Sequence, residues 1–329
     1  MSNIHIEGKQ YTSLDNESVL DALLRQGVNV PHSCKSGNCL TCMLKTDSLD
    51  LPENCISKLP SNLHQQGYFL PCICITNTTI NILPNNNNEL FYSVRVVEYI
   101  KYNQDVCCIR LERPEGFAYK TGQIINIAIP NENRLIRSYS IASQPQRDAY
   151  IEVHVRRKLG GAFSNWLNDN LKIGDTLKIQ GPQGNFIYSS PPQRKLLLIG
   201  TGTGISPLYG IISEALYCNH TGEIHIFYGS HNHTGLYLQQ KLQSLVDENA
   251  NIYLTCTLSG KDKQTIQEED KITPGRANDI ALKTIKDLNQ FDIYLCGNPG
   301  MVKATQMQTY LAGALMSQIF IDAFEYKGT

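Results

Sequence analysis

Cys34, Cys39 and Cys42 stand close together in the run His-Ser-Cys-Lys-Ser-Gly-Asn-Cys-Leu-Thr-Cys at positions 32–42. A C-x4-C-x2-C run followed by a distant fourth cysteine is a spacing that wraps a [2Fe-2S] core, with thiolates turned to iron and intervening amides turned to sulfide. Gly37 and the small Ser33 and Ser36 suit a backbone that must close tightly around such a core. Two later cysteines, Cys72 and Cys74, compete for the fourth position. On an extended segment at 69–75 they face opposite ways, so only one of them reaches the core. A structural zinc site and unligated thiols are the other readings. Zinc motifs pair C-x2-C knuckles or mix in histidine, and the gap between Cys34 and Cys39 fits them poorly.

Three further stretches carry residue types suited to binding phosphate or an aromatic ring. The first is Arg137-Ser138-Tyr139-Ser140, flanked by Gly122-Gln123, His154-Val155-Arg156, Gly160-Gly161-Ala162-Phe163-Ser164 and Gly181-Pro182-Gln183-Gly184. The second, Gly200-Thr201-Gly202-Thr203-Gly204-Ile205-Ser206-Pro207, follows an apolar run, and its third glycine comes one residue earlier than in G-x-G-x-x-G. Glycines there let the backbone approach a pyrophosphate, with Ser206 and Pro207 as N-cap and first-turn residue of the next helix; a nicotinamide dinucleotide is the matching ligand. The third is Cys296-Gly297-Asn298-Pro299-Gly300-Met301. Taken singly, each also reads as an ordinary strand, a tight turn or a buried thiol.

The elements that must position these residues fall into three regimes. At 329 residues the chain has length for two or three domains. Residues 1–83 read as a small α+β module: a hairpin at 4–11, a helix capped by Asn16 and ended by Gly27, and short strands at 43–46 and 68–75. Residues 84–89 are polar and aperiodic, a linker. Residues 90–190 show regularly spaced strands, at 93–102, 106–112, 123–129, 136–143 and 150–156, with one helix at 163–171; that spacing predicts an antiparallel barrel. Residues 191–329 alternate strand and helix, which predicts a parallel sheet covered on both faces, with a polar surface insertion at 260–273.

The net charge of −1 supplies no basic excess for a nucleic-acid or membrane-surface partner. No run of about 18 apolar residues occurs and residues 1–10 lack a signal-peptide pattern, so a cytoplasmic protein is expected. Cys74, Cys107, Cys108 and Cys256 read as buried thiols, not as a disulfide framework.

The cysteine run, with Pro31 at its entrance, resembles the plant-type ferredoxin family, whose β-grasp module the first 83 residues match; Leu40 stands where many relatives have a small residue. The aromatic-Leu-x-Cys ending of that family favours Cys72 as fourth ligand. The middle and last stretches resemble, in order, the ferredoxin reductase family of flavoproteins. Over nearly the whole chain the order of modules resembles the electron-transfer reductases of bacterial multicomponent oxygenases, such as those of phenol hydroxylase and naphthalene dioxygenase, and the CDP-6-deoxy-glucoseen reductases.

The resemblance implies FAD on the barrel: Arg137 as a charged fork for its phosphate, Tyr139 as an aromatic face, and Ser140 near the reactive ring nitrogen. His154, Val155, Arg156, Gly161, Ala162 and Ser164 complete that set, with the helix opening at Gly161 taking the pyrophosphate. It places NADH over Gly202, Thr203, Gly204, Gly297, Pro299 and Met301, Cys296 beside the hydride path, and Phe324 over the flavin, although core packing explains Phe324 as readily. It implies a relay from nicotinamide through FAD to the cluster and then to a protein acceptor such as an oxygenase component. A deoxysugar reductase and a cofactor-binding redox sensor without turnover remain open alternatives. The loop Gly229-Ser230-His231-Asn232-His233-Thr234 has no Arg or Lys for a 2'-phosphate, which favours NADH; Ser230 and Lys261 leave NADPH possible.

Overall fold

The computed structural model describes residues 2–48, 51–84, 90–130, 135–264, 266–267 and 271–324; apart from Pro84, the linker expected at 84–89 lies outside them. Three separate sheets form, each with its own core.

The first sheet draws on β1 (Asn3–Ile6), β2 (Lys9–Thr12), β3 (Leu44–Thr46), β4 (Tyr68–Phe69) and β5 (Ile80–Leu83), with α1 (Val19–Arg25) and α2 (Ser61–Gln65) between them. Strand order is β2-β1-β5-β3-β4, with β1 and β5 parallel and the other pairs antiparallel. Alternation puts Ile4, Ile80 and Ile82 on the inner face, where Val19, Leu20 and Leu23 of α1 cover them. Ser18, not Asn16, caps α1: its Oγ accepts from the Asp21 amide at 3.1 Å, while Asn16 turns the preceding chain at φ +59°. The segment expected to be extended at 69–75 leaves the sheet after Phe69 and turns, so the alternation of Cys72 and Cys74 does not hold.

The second sheet comprises β6 (Tyr92–Lys101), β7 (Val106–Glu112), β8 (Ile124–Ala128), β9 (Ile136–Ser140), β10 (Tyr150–Arg156) and β11 (Thr176–Gln183), with α3 (Ala162–Asp169) after β10. The order β10-β7-β6-β11-β8-β9 is wholly antiparallel, and a bridge between Ile141 and Val153 joins the outer strands into a barrel. Inward residues such as Ile125, Ile127, Val153 and Leu177 fill it. β11 went unread in the sequence because Gly181-Pro182 interrupts its alternation after Leu177 and Ile179.

The third sheet is parallel throughout, order β15-β14-β13-β12-β16-β17. Its elements are β12 (Lys195–Thr201), α4 (Ile205–Tyr217), β13 (Ile224–Ser230), α5 (Gln239–Glu248), β14 (Ile252–Leu258), β15 (Ile272–Pro274), α6 (Ala277–Thr284), β16 (Phe291–Gly297), α7 (Pro299–Leu311) and β17 (Ile319–Ala323). Two were not anticipated. β15 closes one edge from within the polar stretch, and α6 is too short and polar to show a clear apolar stripe. α4 also starts earlier than expected: a 3-10 turn at Gly202–Gly204 runs straight into it, and Ser206 lies buried inside the first turn instead of capping it. Among the described residues no helix is long and apolar enough to cross a membrane.

Candidate functional site

The cysteine run folds as a loop of bends and turns in which Lys35, Gly37 and Leu40 all take left-handed φ, of +49°, +77° and +51°. At Gly37 a Cβ would stand 2.7 Å from the Ile73 side chain, so only glycine fits without displacement. Leu40 holds its conformation at a cost on the order of 1 kcal/mol, offset by burial in the module's core. That cost is a reason for a small residue at this position.

The loop turns its amides onto sulfur. The Ser36 and Cys39 N–H groups donate to Cys34 Sγ at 3.4 and 3.3 Å, and Cys34 N–H donates to Cys39 Sγ at 3.5 Å. The thiols meet in two pairs, Cys34 with Cys39 and Cys42 with Cys72. In each pair one thiol donates to the other: the Cys39 thiol pulls Cys34 down to about 5, and the Cys42 thiol lowers Cys72. The donating partners, Cys39 and Cys42, are pushed up in turn, by those thiol hydrogen bonds and then by burial. Paired sulfurs and convergent N–H donors fit a sulfide-bridged iron cluster. Cys74 stands apart. It is bonded to Cys55, which corrects the expectation of a free buried thiol. That bond closes a loop of sequence separation 19 containing Cys72, a constraint worth on the order of 3 kcal/mol against the unfolded chain.

A cavity of about 330 Å³ lies between the loop, the barrel and the third sheet. Its walls include His32, Ser33, Cys34 and Cys39 from the loop and Arg137, Ser138, Tyr139 and Ser140 from β9. His154, Arg156 and residues 158–164 come from β10 and the start of α3; Thr203, Ser206, Pro207, Asp322, Ala323 and Phe324 close it from the third sheet. Volume and lining suit a cofactor. Tyr139 packs on Phe163 with ring centroids 5.8 Å apart, so one aromatic face is fixed. Gly161 is the N-cap of α3, and the Ser164 hydroxyl accepts from the Lys158 amide at 3.0 Å, shaping the turn before the helix. An arginine fork, the amides that open α3 and an aromatic wall together fit a flavin with a phosphate tail.

Below the cavity, β12 and β16 end side by side. A Cβ on Gly204 would lie 2.5 Å from the Cys296 carbonyl oxygen, and one on Gly297 2.5 Å from that of Thr201, so glycine lets these backbones touch. The Asn298 side chain caps α7 by accepting from the Met301 amide at 3.2 Å, which puts Pro299 and Met301 in the helix's first turn. Gly202, Gly204, Gly297, Pro299 and Met301 thus form an edge next to the cavity, outside its lining. Val155 is different: its side chain is wholly in the barrel core.

Asp322 is the residue that sequence reasoning missed. Its buried carboxylate accepts a hydrogen bond of 2.5 Å from Ser140 Oγ, and Cys296 Sγ lies 3.8 Å away, behind it. Burial lifts this carboxyl to about 6, and the Ser140 hydroxyl partly restrains the rise. An acid inside the otherwise apolar strand Ile319–Ala323, two residues before Phe324, was the available signal.

His154 holds both ring nitrogens in contacts, Nε2 at 3.0 Å from Glu152 and Nδ1 at 2.8 Å from the Tyr237 hydroxyl across the domain seam. Glu152 in turn receives Arg110 Nε at 2.7 Å. Cys108, Glu152 and His154 approach one another as metal ligands would, but Arg110 already neutralises the carboxylate. Burial pushes Glu152 up; hydrogen bonds and charge from His154 and Arg110 outweigh it and leave the group at about 2. A folded-state pKa below the ordinary 4.5 means that its stabilisation is complete above pH 4.5 and is lost as pH falls towards 2. Trp166, the single tryptophan, packs on the barrel core and reports on it alone. Urea unfolding followed by its fluorescence is expected to show Glu152→Gln weaker by about 2 kcal/mol at pH 7, with a flatter loss of stability below pH 4.5 than in the unsubstituted protein.

Comparison with known proteins agrees with this architecture. Residues 4–77 match the 2Fe-2S iron-sulfur cluster binding domain, 93–188 the oxidoreductase FAD-binding domain and 198–307 the oxidoreductase NAD-binding domain. The chain is 28% identical to the CDP-6-deoxy-L-threo-D-glycero-4-hexulose-3-dehydrase reductase of Yersinia pestis, over 98% of this chain and 97% of that protein. It is 26% identical to the propane 2-monooxygenase reductase component of Rhodococcus jostii, over 94% and 87%. Among solved structures, an Amycolatopsis cytochrome P450 reductase superposes with a TM-score of 0.68 at 25% identity, covering 98% of this chain and 99% of that one. With an iron–sulfur module, an FAD-binding barrel and an NAD-binding sheet in one chain, this protein belongs to the ferredoxin reductase family and is an iron–sulfur flavoprotein oxidoreductase.

Proposed function

We propose that this chain takes electrons from NADH and delivers them singly, through a cluster on Cys34, Cys39, Cys42 and Cys72, to a protein acceptor such as an oxygenase component. One observation carries the reading: the cysteine loop and the Arg137–Ser140 strand wall the same cavity. A flavin held there supplies the conversion of a two-electron hydride into one-electron steps, which a [2Fe-2S] cluster requires. In this reading Arg137 and the start of α3 hold the phosphates, Tyr139 and Phe324 hold the ring, and Arg156, whose Nη1 lies 3.2 Å from where a Gly202 Cβ would be, guards the dinucleotide turn. Asp322 fixes the Ser140 hydroxyl, and Cys296 lies behind them against the floor where β12 and β16 meet.

The acceptor is read from the relatives. Several are named as monooxygenase or dioxygenase reductase components, and one group as a hexulose dehydrase reductase; the long match to the latter keeps a deoxysugar pathway as the second reading. Identifying the protein that copurifies with the chain decides between them.

Anaerobic addition of NADH is expected to bleach the flavin absorbance and then that of the cluster; bleaching of neither would sink the relay. NADH is expected to exceed NADPH in kcat/KM by about tenfold or more. After β13 the chain offers Ser230 and His231, whose Nδ1 lies 3.1 Å from Ser259 Oγ, and no arginine. An equal or higher value with NADPH would reverse the assignment.

A further inference from the structure

Asn126 lies on β8 between Ile125 and Ile127, both wholly inside the barrel. Alternation sends its side chain outward, where an asparagine ordinarily meets water. Yet Asn126 has 0% exposure, because the cysteine loop covers it. Its Nδ2 donates to the Cys39 carbonyl at 2.9 Å and to Gln180 Oε1 at 3.1 Å. Its Oδ1 accepts from Ser138 Oγ at 2.8 Å and lies 3.0 Å from Thr41 Oγ1. Gln183 Nε2 donates to the same Cys39 carbonyl at 2.6 Å. Two barrel amides therefore grip the backbone of one cysteine in the cavity wall, and every polar atom of Asn126 is used.

The Thr41 hydroxyl adds a second function. Its oxygen lies 3.2 Å from Cys39 Sγ, 3.0 Å from Asn126 Oδ1 and 3.0 Å from Ser138 Oγ; it has one proton to give, and because Ser138 already donates to Asn126 Oδ1, that proton is free for the sulfur. A hydrogen bond to a ligand sulfur favours the more negative, reduced cluster, so the partner Thr41 chooses bears on the cluster's potential. A fully satisfied buried polar network fixes one geometry more strictly than apolar contact does, since any slippage leaves buried groups unpaired.

We propose that Asn126, Gln183 and Thr41 are positioning residues for electron transfer: they clamp the Cys39 edge of the iron–sulfur loop to the barrel at the flavin cavity, and Thr41 links that clamp to the sulfur itself. The proposal rests on the relay reading above and adds to it the contact that sets the electron-transfer geometry.

The test uses the full chain loaded with both cofactors. In stopped-flow mixing with NADH, Asn126→Ala is expected to leave flavin bleaching within about twofold and to slow the following cluster phase about tenfold or more, because small misplacements of reacting partners are costly. Thr41→Val is expected to lower the cluster midpoint potential, while Thr41→Ser, which keeps the hydroxyl, restores it. An unchanged cluster phase in Asn126→Ala, or equal potentials in Thr41→Val and Thr41→Ser, overturns the proposal. Hydrogen–deuterium exchange of amides 38–43 reads the clamp without turnover. Faster exchange in Asn126→Ala supports it and unchanged exchange refutes it, even if NADH fails to reduce the cluster and the relay reading itself falls.

Discussion

Cys72→Ser is expected to yield a protein without cluster iron that still oxidises NADH with ferricyanide at saturating FAD, but reduces cytochrome c about a hundredfold more slowly or worse. Cys72 meets Cys42 as one of two thiol pairs, so its loss strips a ligand from the proposed cluster, while Cys72 itself stands outside the flavin cavity lining. Cys74→Ser is the matched control. Its sulfur is bonded to Cys55, so this variant is expected to keep its iron and its cytochrome c activity and to lose only stability. Iron content and the two acceptor assays, run side by side, separate the variants. Retained iron in Cys72→Ser together with lost iron in Cys74→Ser would transfer the fourth ligand to Cys74.

The second large effect is at Asp322. Asp322→Ala is expected to lower the NADH–ferricyanide kcat by about a hundredfold, the usual scale for a group that orders a hydroxyl beside the reacting atoms. Its carboxylate accepts a hydrogen bond from the Ser140 hydroxyl at 2.5 Å and takes that acceptor role fully only when ionised. Burial has lifted the group to about 6, so activity is expected to fall as pH drops through 6, when protonation removes the negative charge facing Ser140. Asp322→Asn, which keeps shape without charge, is expected to be slow at every pH and to lack that inflection. A variant with an unchanged profile would assign the inflection to another group.

These two residues mark how far the sequence could be read. The cysteine run is local and its spacing points to its chemistry, while the Arg137–Ser140 strand and the glycine turn at Gly202–Gly204 are local runs that gain meaning from their order along the chain. Asp322 acquires meaning only through Ser140, 182 positions away, and Thr41 only through Asn126, 85 positions away. No periodicity reports such a pairing, because a lone acid in a strand and an asparagine between two isoleucines look like solvated surface until another domain covers them. The Cys55–Cys74 bond was hidden for the same reason: a short cysteine-rich segment with iron-ligand spacing directs attention to metal, and pairing is a fact of the folded chain. Helix starts failed more simply. Asn16 and Ser18 are both good caps, and the choice between them depends on where the chain turns out of β2.

The loop bearing Cys34 and Cys39 is also a wall of the neighbouring cavity, so binding of the two prosthetic groups is expected to be coupled. By reciprocity, whatever factor an ordered iron–sulfur loop adds to flavin affinity, a bound flavin adds to retention of the cluster. Where that factor exceeds one, assembly of this chain is cooperative, and scarcity of iron lowers its flavin occupancy when FAD is limiting, a deficit that saturating FAD makes good.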